Sequence, residues 1–246
     1  MSTVLVIAGS DSSGGAGLAR DLCTLAHFST AAVCALTAVT VQSDARVVSV
    51  HPLPADLVRA QIQAALATRP VGAIKIGMLA SAAVACAVAA SLPPRAQQPV
   101  VLDPVLAASS GGELLDAAGR AALRAELLPR TTLLTPNIPE AAALLDARPA
   151  LDESELLQQA QALLSLGPQA VLIKGGHGHG REAVDLLVQR GEPPRRYGAP
   201  RSPNSCRGTG CALASAIAAG LAAGLPLPQS CLRARAYVLE LLRTAA

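Results

Sequence analysis

Short apolar runs, rich in Val and Ile, alternate along this chain with longer Ala- and Leu-rich stretches of helical length. Residues 4–8, 33–41, 73–76, 100–102, 133–135 and 171–173 read as buried strands. Residues 17–28, 55–68, 81–92, 116–128, 139–145 and 154–166 read as the helices between them, several with Asp, Asn or Ser near their starts. Strands separated by helices imply a mainly parallel sheet, and the rhythm as a whole predicts a doubly wound α/β fold. Residues 183–189 and 195–199 alternate in a way that suits an antiparallel hairpin at the sheet edge. The most apolar segment, residues 211–225, falls short of the roughly 20 residues that span a bilayer and is interrupted by Gly220 and Gly224. With no repeat, low-complexity linker or charge block, and with Pro93-Pro94 and Pro193-Pro194 as loop punctuation, residues 1–246 read as one domain.

Composition narrows the partners. Hydrophobic residues make up 51% of the chain, enough for a sizeable core, but aromatics are only 1% and Trp is absent. The core must therefore be packed from Ala, Leu and Val, and no aromatic platform exists for stacking single-stranded nucleic acid. A net charge of +3 is spread thinly. Its densest groups, Arg195-Arg196 and Arg233/Arg235, are too small for a phosphate-backbone stripe and read as solvated surface, so neither nucleic acid nor a membrane is an expected partner. Six cysteines, at 23, 34, 86, 206, 211 and 231, form no CxxC pair, and several sit in apolar runs as small core residues would. Met1-Ser2-Thr3 leads straight into a strand with no basic leader, so the expectation is a soluble protein of a reduced cytoplasm.

In doubly wound sheets, ligands collect beyond the carboxyl ends of the strands. The residues there are Gly9-Ser10-Asp11, Gln42, Lys75 with Gly77-Met78, Asp103-Pro104, Asn137 with Glu140, and Lys174-Gly175-Gly176-His177. Two glycine-rich turns stand out. Residues 9–17 follow the first strand, and Arg207-Gly208-Thr209-Gly210-Cys211 opens a helix over residues 211–224, where backbone N–H groups and the helix dipole would cradle an anion. The plain alternative for the second turn is chain reversal. A phosphate donor and an acceptor brought together by the two turns would make the chemistry phosphoryl transfer. Neither GxGxxG nor a Gly-Lys-Ser/Thr loop occurs, so the common dinucleotide and P-loop readings fail. The spacing Asn137-x-x-Glu140 suits either a hydrated Mg²⁺ or an ordinary helix N-cap with a capping-box glutamate. His177-Gly178-His179 lacks a third ligand nearby and is not read as a metal site.

Taken in order, the segments Ile7-Ala8-Gly9-Ser10-Asp11-Ser12-Ser13-Gly14-Gly15-Ala16-Gly17, Thr37-Ala38-Val39-Thr40-Val41-Gln42, Lys75-Ile76-Gly77-Met78-Leu79, Val101-Leu102-Asp103-Pro104-Val105, Thr135-Pro136-Asn137-Ile138-Pro139-Glu140-Ala141, Lys174-Gly175-Gly176-His177 and Gly208-Thr209-Gly210-Cys211 form a specific series. The chain resembles, over nearly its whole length, the hydroxymethylpyrimidine/phosphomethylpyrimidine kinases of thiamine biosynthesis, members of the ribokinase-like superfamily. The resemblance implies a three-layer αβα fold with a mainly parallel central sheet and an antiparallel edge hairpin. It implies a homodimer that uses ATP and Mg²⁺ to phosphorylate 4-amino-5-hydroxymethyl-2-methylpyrimidine to its monophosphate and then its diphosphate.

Residue by residue, the resemblance implies that Asp21 and Gln42 hydrogen-bond the aminopyrimidine, while Gly9, Ala16, Met78 and Val105 complete its pocket. Asp21 lies one helical turn past Gly17, so it can face the same mouth as Gln42; its plain alternative is a solvated helix-surface carboxylate. Lys174 would meet the ATP phosphates, with Asn137, Thr209 and Gly210 also at the nucleotide. Asp103 and Glu140 would orient Mg²⁺ through water, and Gly208, Thr209, Gly210 and Cys211 would form the anion hole. Cys211 stands where many sugar kinases of the superfamily carry an Asp base. A neutral thiol suits an acceptor that is already an anion, while the helix N-terminus would lower its pKa and leave a base role open.

Arg207 stands where His commonly precedes this motif, Ala19-Arg20 replaces a usual Gln-Ala, and Ala108-Ser109 and Gly112 also depart from the family pattern. Two alternatives remain: a pyridoxal or pyridoxine kinase, against which Gln42 and Met78 argue, and a non-catalytic pyrimidine-binding protein.

Overall fold

The structure, a computed structural model, describes residues 2–94, 97–108, 111–177 and 181–245. Ser109 and the Gly178-His179 part of the His-Gly-His run lie outside the described residues. The chain begins with β1 (Thr3–Asp11), α1 (Gly17–His27), β2 (Ala31–Gln42) and β3 (Val47–Pro52), followed by α2 (Ala55–Thr68), β4 (Ala73–Ile76), α3 (Ala82–Ser91) and β5 (Val100–Leu102). It continues through α4 (Ala117–Ala122), β6 (Leu133–Leu134), α5 (Ile138–Leu144), α6 (Glu153–Ser165) and β7 (Ala170–Ile173). The hairpin β8 (Glu182–Gln189) and β9 (Arg195–Pro200) precedes two final helices, α7 (Thr209–Ala222) and α8 (Leu227–Thr244).

Among the described residues the strands form one sheet in the order β3-β2-β1-β4-β5-β6-β7-β8-β9. Neighbours from β2 to β7 are parallel, and antiparallel pairing occurs at both edges, β3 on β2 and the β8–β9 hairpin on β7. The β3 edge was not expected from the sequence.

Alternation along β1 builds three layers. Leu5 and Ile7 point into a cluster with Val58 of α2, Val88 of α3 and Leu163 of α6, whereas Val4, Val6 and Ala8 point into a cluster with Leu25 of α1, Ile217 of α7 and Ala234 of α8. A strand whose every side chain is buried in one or other cluster cannot alternate in polarity, which is why the central strands read as continuous apolar runs. The chain reverses its direction of travel across the sheet at β1, which pairs with β2 on one side and β4 on the other. Such a reversal opens a crevice at the carboxyl ends of the strands.

Two readings need amendment. The helix expected over residues 116–128 is α-helical only as far as Ala122. It widens into a π-helical turn over Leu123–Leu127 and tightens to a 3₁₀ turn over Leu128–Arg130, where Pro129 has no amide to donate. Cysteine is less a core residue than its sequence neighbours suggested: Cys231 is buried, whereas Cys23 and Cys86 are exposed.

Candidate active site

A cavity of about 1060 Å³ opens at the carboxyl ends of the strands, beneath the N-terminus of α7. Gly9, Ala16, Gln42, Met78 and Val105 line one end of it. Asp103, Asn137, Glu140, Lys174 and the 208–211 turn line the other. The residues expected at an acceptor and at a phosphate donor thus share one continuous space.

Close backbone packing shapes the first end. A β-carbon at Gly9 would lie 2.8 Å from the Met78 sulfur, and one at Gly17, whose φ is +56°, would run into the Gly9 carbonyl. Only glycine lets the turn after β1 lie this flat against the pocket. Asp11 is the hub of that turn: Oδ1 accepts from the Ser13 amide at 2.9 Å and the Ser13 hydroxyl at 2.8 Å, and Oδ2 accepts from the Ala16 amide at 2.9 Å. Ser12 fixes Gln42 by donating to its carbonyl at 2.7 Å and accepting from its amide at 2.8 Å. Opposite, Val105 sits in the left-handed region at φ +44°, a conformation unfavourable for a β-branched residue and held here at the pocket wall.

Asp21 departs from expectation. It is fully buried and is absent from the cavity wall. Its Oδ2 accepts from Lys75 Nζ at 2.7 Å and its Oδ1 from the Ser215 hydroxyl of α7 at 2.8 Å, so no edge of the carboxylate is turned toward a ligand. Burial pushes its carboxyl up, and Lys75 pulls against that shift through charge and a hydrogen bond. Burial also opposes the Lys75 charge, but Asp21, with Cys211 and Asp103 beyond it, outweighs that and holds the ammonium above its usual range. Lys75 itself reaches the cavity floor.

At the other end, Lys174 Nζ donates to Asp103 Oδ1 at 2.7 Å and lies 3.9 Å from Glu140 Oε2, with 15% of its side chain still exposed. Burial lowers its pKa, but Asp103 and Glu140 more than offset this and keep it protonated. Asn137 and Glu140 form a reciprocal capping box at the start of α5: Asn137 Oδ1 accepts from the Glu140 amide and Glu140 Oε2 from the Asn137 amide, each at 2.8 Å. The capping alternative is therefore realised, and it aims Glu140 at Lys174. Burial pushes the Glu140 carboxyl up, against the pull of Lys174.

The 208–211 turn closes this end. Gly208 takes φ +74°, and a β-carbon there would strike the Gly15 carbonyl, so the two glycine-rich turns pack directly on one another. A β-carbon at Gly210 would lie 3.0 Å from Lys174 Nζ and 3.3 Å from Asp103 Oδ2. The first turn of α7, the lysine and the aspartate therefore converge around one point, with free helix amides, a cation and a carboxylate available to a phosphate and its counter-ion.

Another ion pair at the wall was not expected from the sequence. Arg235 of α8, set aside as solvated surface, is 9% exposed and donates to Asp185 Oδ2 at 2.7 Å. Asp185 Oδ1 accepts from the Gly175 amide at 2.8 Å, so the pair braces the loop that follows Lys174. The signal was present in β8, where Asp185 falls on the same side as the buried Leu187. Arg207 neither lines the cavity nor lies free on the surface. Its guanidinium donates to Ser13 Oγ at 2.7 Å, Asp44 Oδ1 at 2.8 Å and Asp11 Oδ2 at 3.1 Å, tying α7 to both loops at the acceptor end.

The sequence model of the family described as phosphomethylpyrimidine kinase matches residues 11–246. This chain belongs to that family. A curated hydroxymethylpyrimidine/phosphomethylpyrimidine kinase of Rhizobium meliloti is 42% identical over 235 residues, covering 95% of this chain and 88% of that protein. The crystal structure of a phosphomethylpyrimidine kinase from Clostridium difficile matches with a TM-score of 0.86 and 33% identity, over 98% of this chain and 99% of the other. A pyridoxal kinase from Staphylococcus aureus, solved with AMP-PCP and pyridoxal, matches with a TM-score of 0.89 and 29% identity, over 98% and 88% of the two chains. The expected ribokinase-like architecture and kinase membership are both borne out. Among the described residues no helix is long and apolar enough to cross a membrane.

Proposed function

We propose that this phosphomethylpyrimidine kinase family member transfers the γ-phosphoryl group of ATP to the hydroxymethyl oxygen of 4-amino-5-hydroxymethyl-2-methylpyrimidine, and then transfers a second one to the resulting monophosphate, within thiamine diphosphate biosynthesis. The observation that carries the proposal is the single cavity, with Gln42 and Met78 at one end and the Lys174–Asp103 pair beneath the α7 amides at the other. Gln42 offers an amide donor and acceptor to a ring nitrogen and its neighbouring amine. Lys174 and the amides of residues 208–211 meet the negative charge that spreads over the phosphoryl oxygens as the bond to ADP breaks and the bond to the acceptor forms. In a loose transition state the alcohol proton leaves late, so positioning supplies most of the rate.

Asp103 and Glu140 are hard oxygen donors, as Mg²⁺ requires. Glu140 is already engaged with the Asn137 amide, and among the described residues no group of three or more His, Cys, Asp or Glu is gathered to hold a metal. That donor set fits an ion that keeps most of its water and phosphate ligands, oriented by the two carboxylates through water. When bound, Mg²⁺ would neutralise part of the phosphate charge. We take the working unit to be a cytoplasmic homodimer, on the family resemblance.

Phosphorus NMR tests the reading directly. The protein with MgATP and the hydroxymethylpyrimidine should give first a phosphomonoester and then a diphosphate resonance. The nearness to a pyridoxal kinase makes pyridoxal the necessary second tube. Pyridoxal phosphate alone would move the protein to vitamin B6 salvage, and ligand binding with no product in any tube would leave a binding protein.

A further inference from the structure

The reaction described above makes no use of Lys75, Asp21 or Ser215, although all three are completely buried and hydrogen-bonded in series. A buried ion pair is a poor way to stabilise a core, because desolvating two charges offsets most of their attraction and well-packed apolar residues usually serve as well or better. Its placement gives it another use. Ser215 lies four residues after Cys211 on α7, so the two share a face one turn apart. Through the Ser215 hydroxyl, Asp21 of α1 grips α7 one turn below the anion hole. Lys75, rising from β4 on the far side of Asp21, reaches the cavity floor and interacts electrostatically with Cys211 and Asp103. The backbone makes room for this ammonium: a β-carbon at Gly77 would lie 2.7 Å from Lys75 Nζ. That contact gives the glycine of Lys75-Ile76-Gly77 a physical reason.

We propose that Lys75, Asp21 and Ser215 form a positioning unit for phosphoryl transfer, in which the Asp21–Ser215 bond fixes the first turns of α7 and the Lys75 ammonium sets a fixed positive charge beneath Cys211. This inference rests on the phosphoryl-transfer reading and deepens it. The cavity then has two cations of different character: Lys174, with 15% of its side chain exposed, and Lys75, fully buried and locked in place. A locked charge costs no reorganisation when negative charge develops, so its effect falls on the transition state more than on bound ATP.

The test replaces the pair by apolar residues, Lys75→Met with Asp21→Leu, which leaves no uncompensated buried charge. Thermal midpoint, KM and kcat are measured, together with calorimetric affinities for MgADP alone and for MgADP with aluminium fluoride, a mimic of the transferring phosphoryl group. The expected result is a midpoint within a few degrees of the parent and KM and MgADP affinity within about threefold. In contrast, kcat and aluminium fluoride affinity should fall about a hundredfold, a selective loss that a purely structural pair would not produce.

Parental kcat and parental affinity for the mimic would overturn the proposal, as would equal losses in MgADP and mimic binding. Should the double variant not fold, Ser215→Ala removes a single hydroxyl and decides the matter. About a fivefold fall in kcat at unchanged KM is expected, and parental kcat refutes the role. Were the parent itself to phosphorylate neither the pyrimidine nor pyridoxal, the functional reading would fail, and the aluminium fluoride comparison would still decide the inference.

Discussion

At Cys211 two influences oppose each other. The α7 N-terminus and the nearby Lys75 favour a thiolate, while burial, Asp21 and Asp103 disfavour it. Burial is the largest effect, and the thiol is pushed up to about 11. The sequence expectation that the helix end would lower this pKa is therefore overturned, and near neutral pH the group is an uncharged thiol. An uncharged side chain can sit beside an alcohol or beside a phosphate dianion with equal ease. A carboxylate cannot, since like charges about 4 Å apart repel by on the order of 4 kcal/mol at an effective dielectric near 20. Cys211→Asp should then slow phosphorylation of the monophosphate by two to three decades but that of the alcohol by no more than about tenfold, measured with each acceptor separately. In the parent, kcat for the alcohol should show no inflection near pH 8.5. Equal losses with both acceptors, or a thiol-like inflection there, would refute the neutral-thiol role.

Among elements, the decisive joint is where the entry to α7 meets the turn after β1 and the β2–β3 turn. Arg207 clasps all three, and through Asp11, Ser13 and the adjacent Ser12 it holds the backbone that presents Gln42. The Asp44 limb adds little, because Asp44 is 86% exposed and its charge is screened, whereas Asp11 is only 5% exposed. Arg207→Met should therefore raise KM for the pyrimidine about five- to tenfold with kcat within twofold, and Asp44→Asn should change neither beyond twofold. A fall in kcat at fixed KM would refute this acceptor-positioning role. The parallel strands were legible because each carries an apolar run bounded by turn residues, and most helices because they are long and rich in Ala and Leu. β3 was not, since it is half exposed along its length, ends in His51-Pro52 and pairs in the sheet with β2 alone. α8 went unread although Cys231, Ala234, Val238 and Leu241 follow a helical spacing, because arginines interrupt the pattern. Motif order located the site residues at the strand ends, but which way Asp21 faces depended on helix phase. Asp21 is three residues after Leu18 and four before Leu25, on the stripe of α1 that packs inward, and that phase turns it toward Lys75 rather than the pocket.

Over the whole molecule, one sheet carries both ends of the cavity. The acceptor end is built on β1, β2 and β4 with Val105 from the loop after β5, the phosphate end on β5, β6 and β7, and α7 covers the join between them. No strand pairing is interrupted between these halves, and each face of the sheet has its own continuous apolar cluster. A chain arranged in this way has no natural line along which to unfold in parts, so we expect one cooperative thermal transition, followed by circular dichroism at 222 nm because the chain has no Trp. A ligand at one end must then stabilise the whole. Nucleotide at about a hundred times its dissociation constant contributes about 2.7 kcal/mol, which for a chain of this size moves the midpoint upward by roughly 5–10 °C. MgADP should shift the entire transition by that amount, and adding the pyrimidine should shift it further without changing its shape. A transition that splits, with only its upper part following MgADP, would mean that the two ends of the cavity belong to separately folding units and that the single-domain reading is wrong.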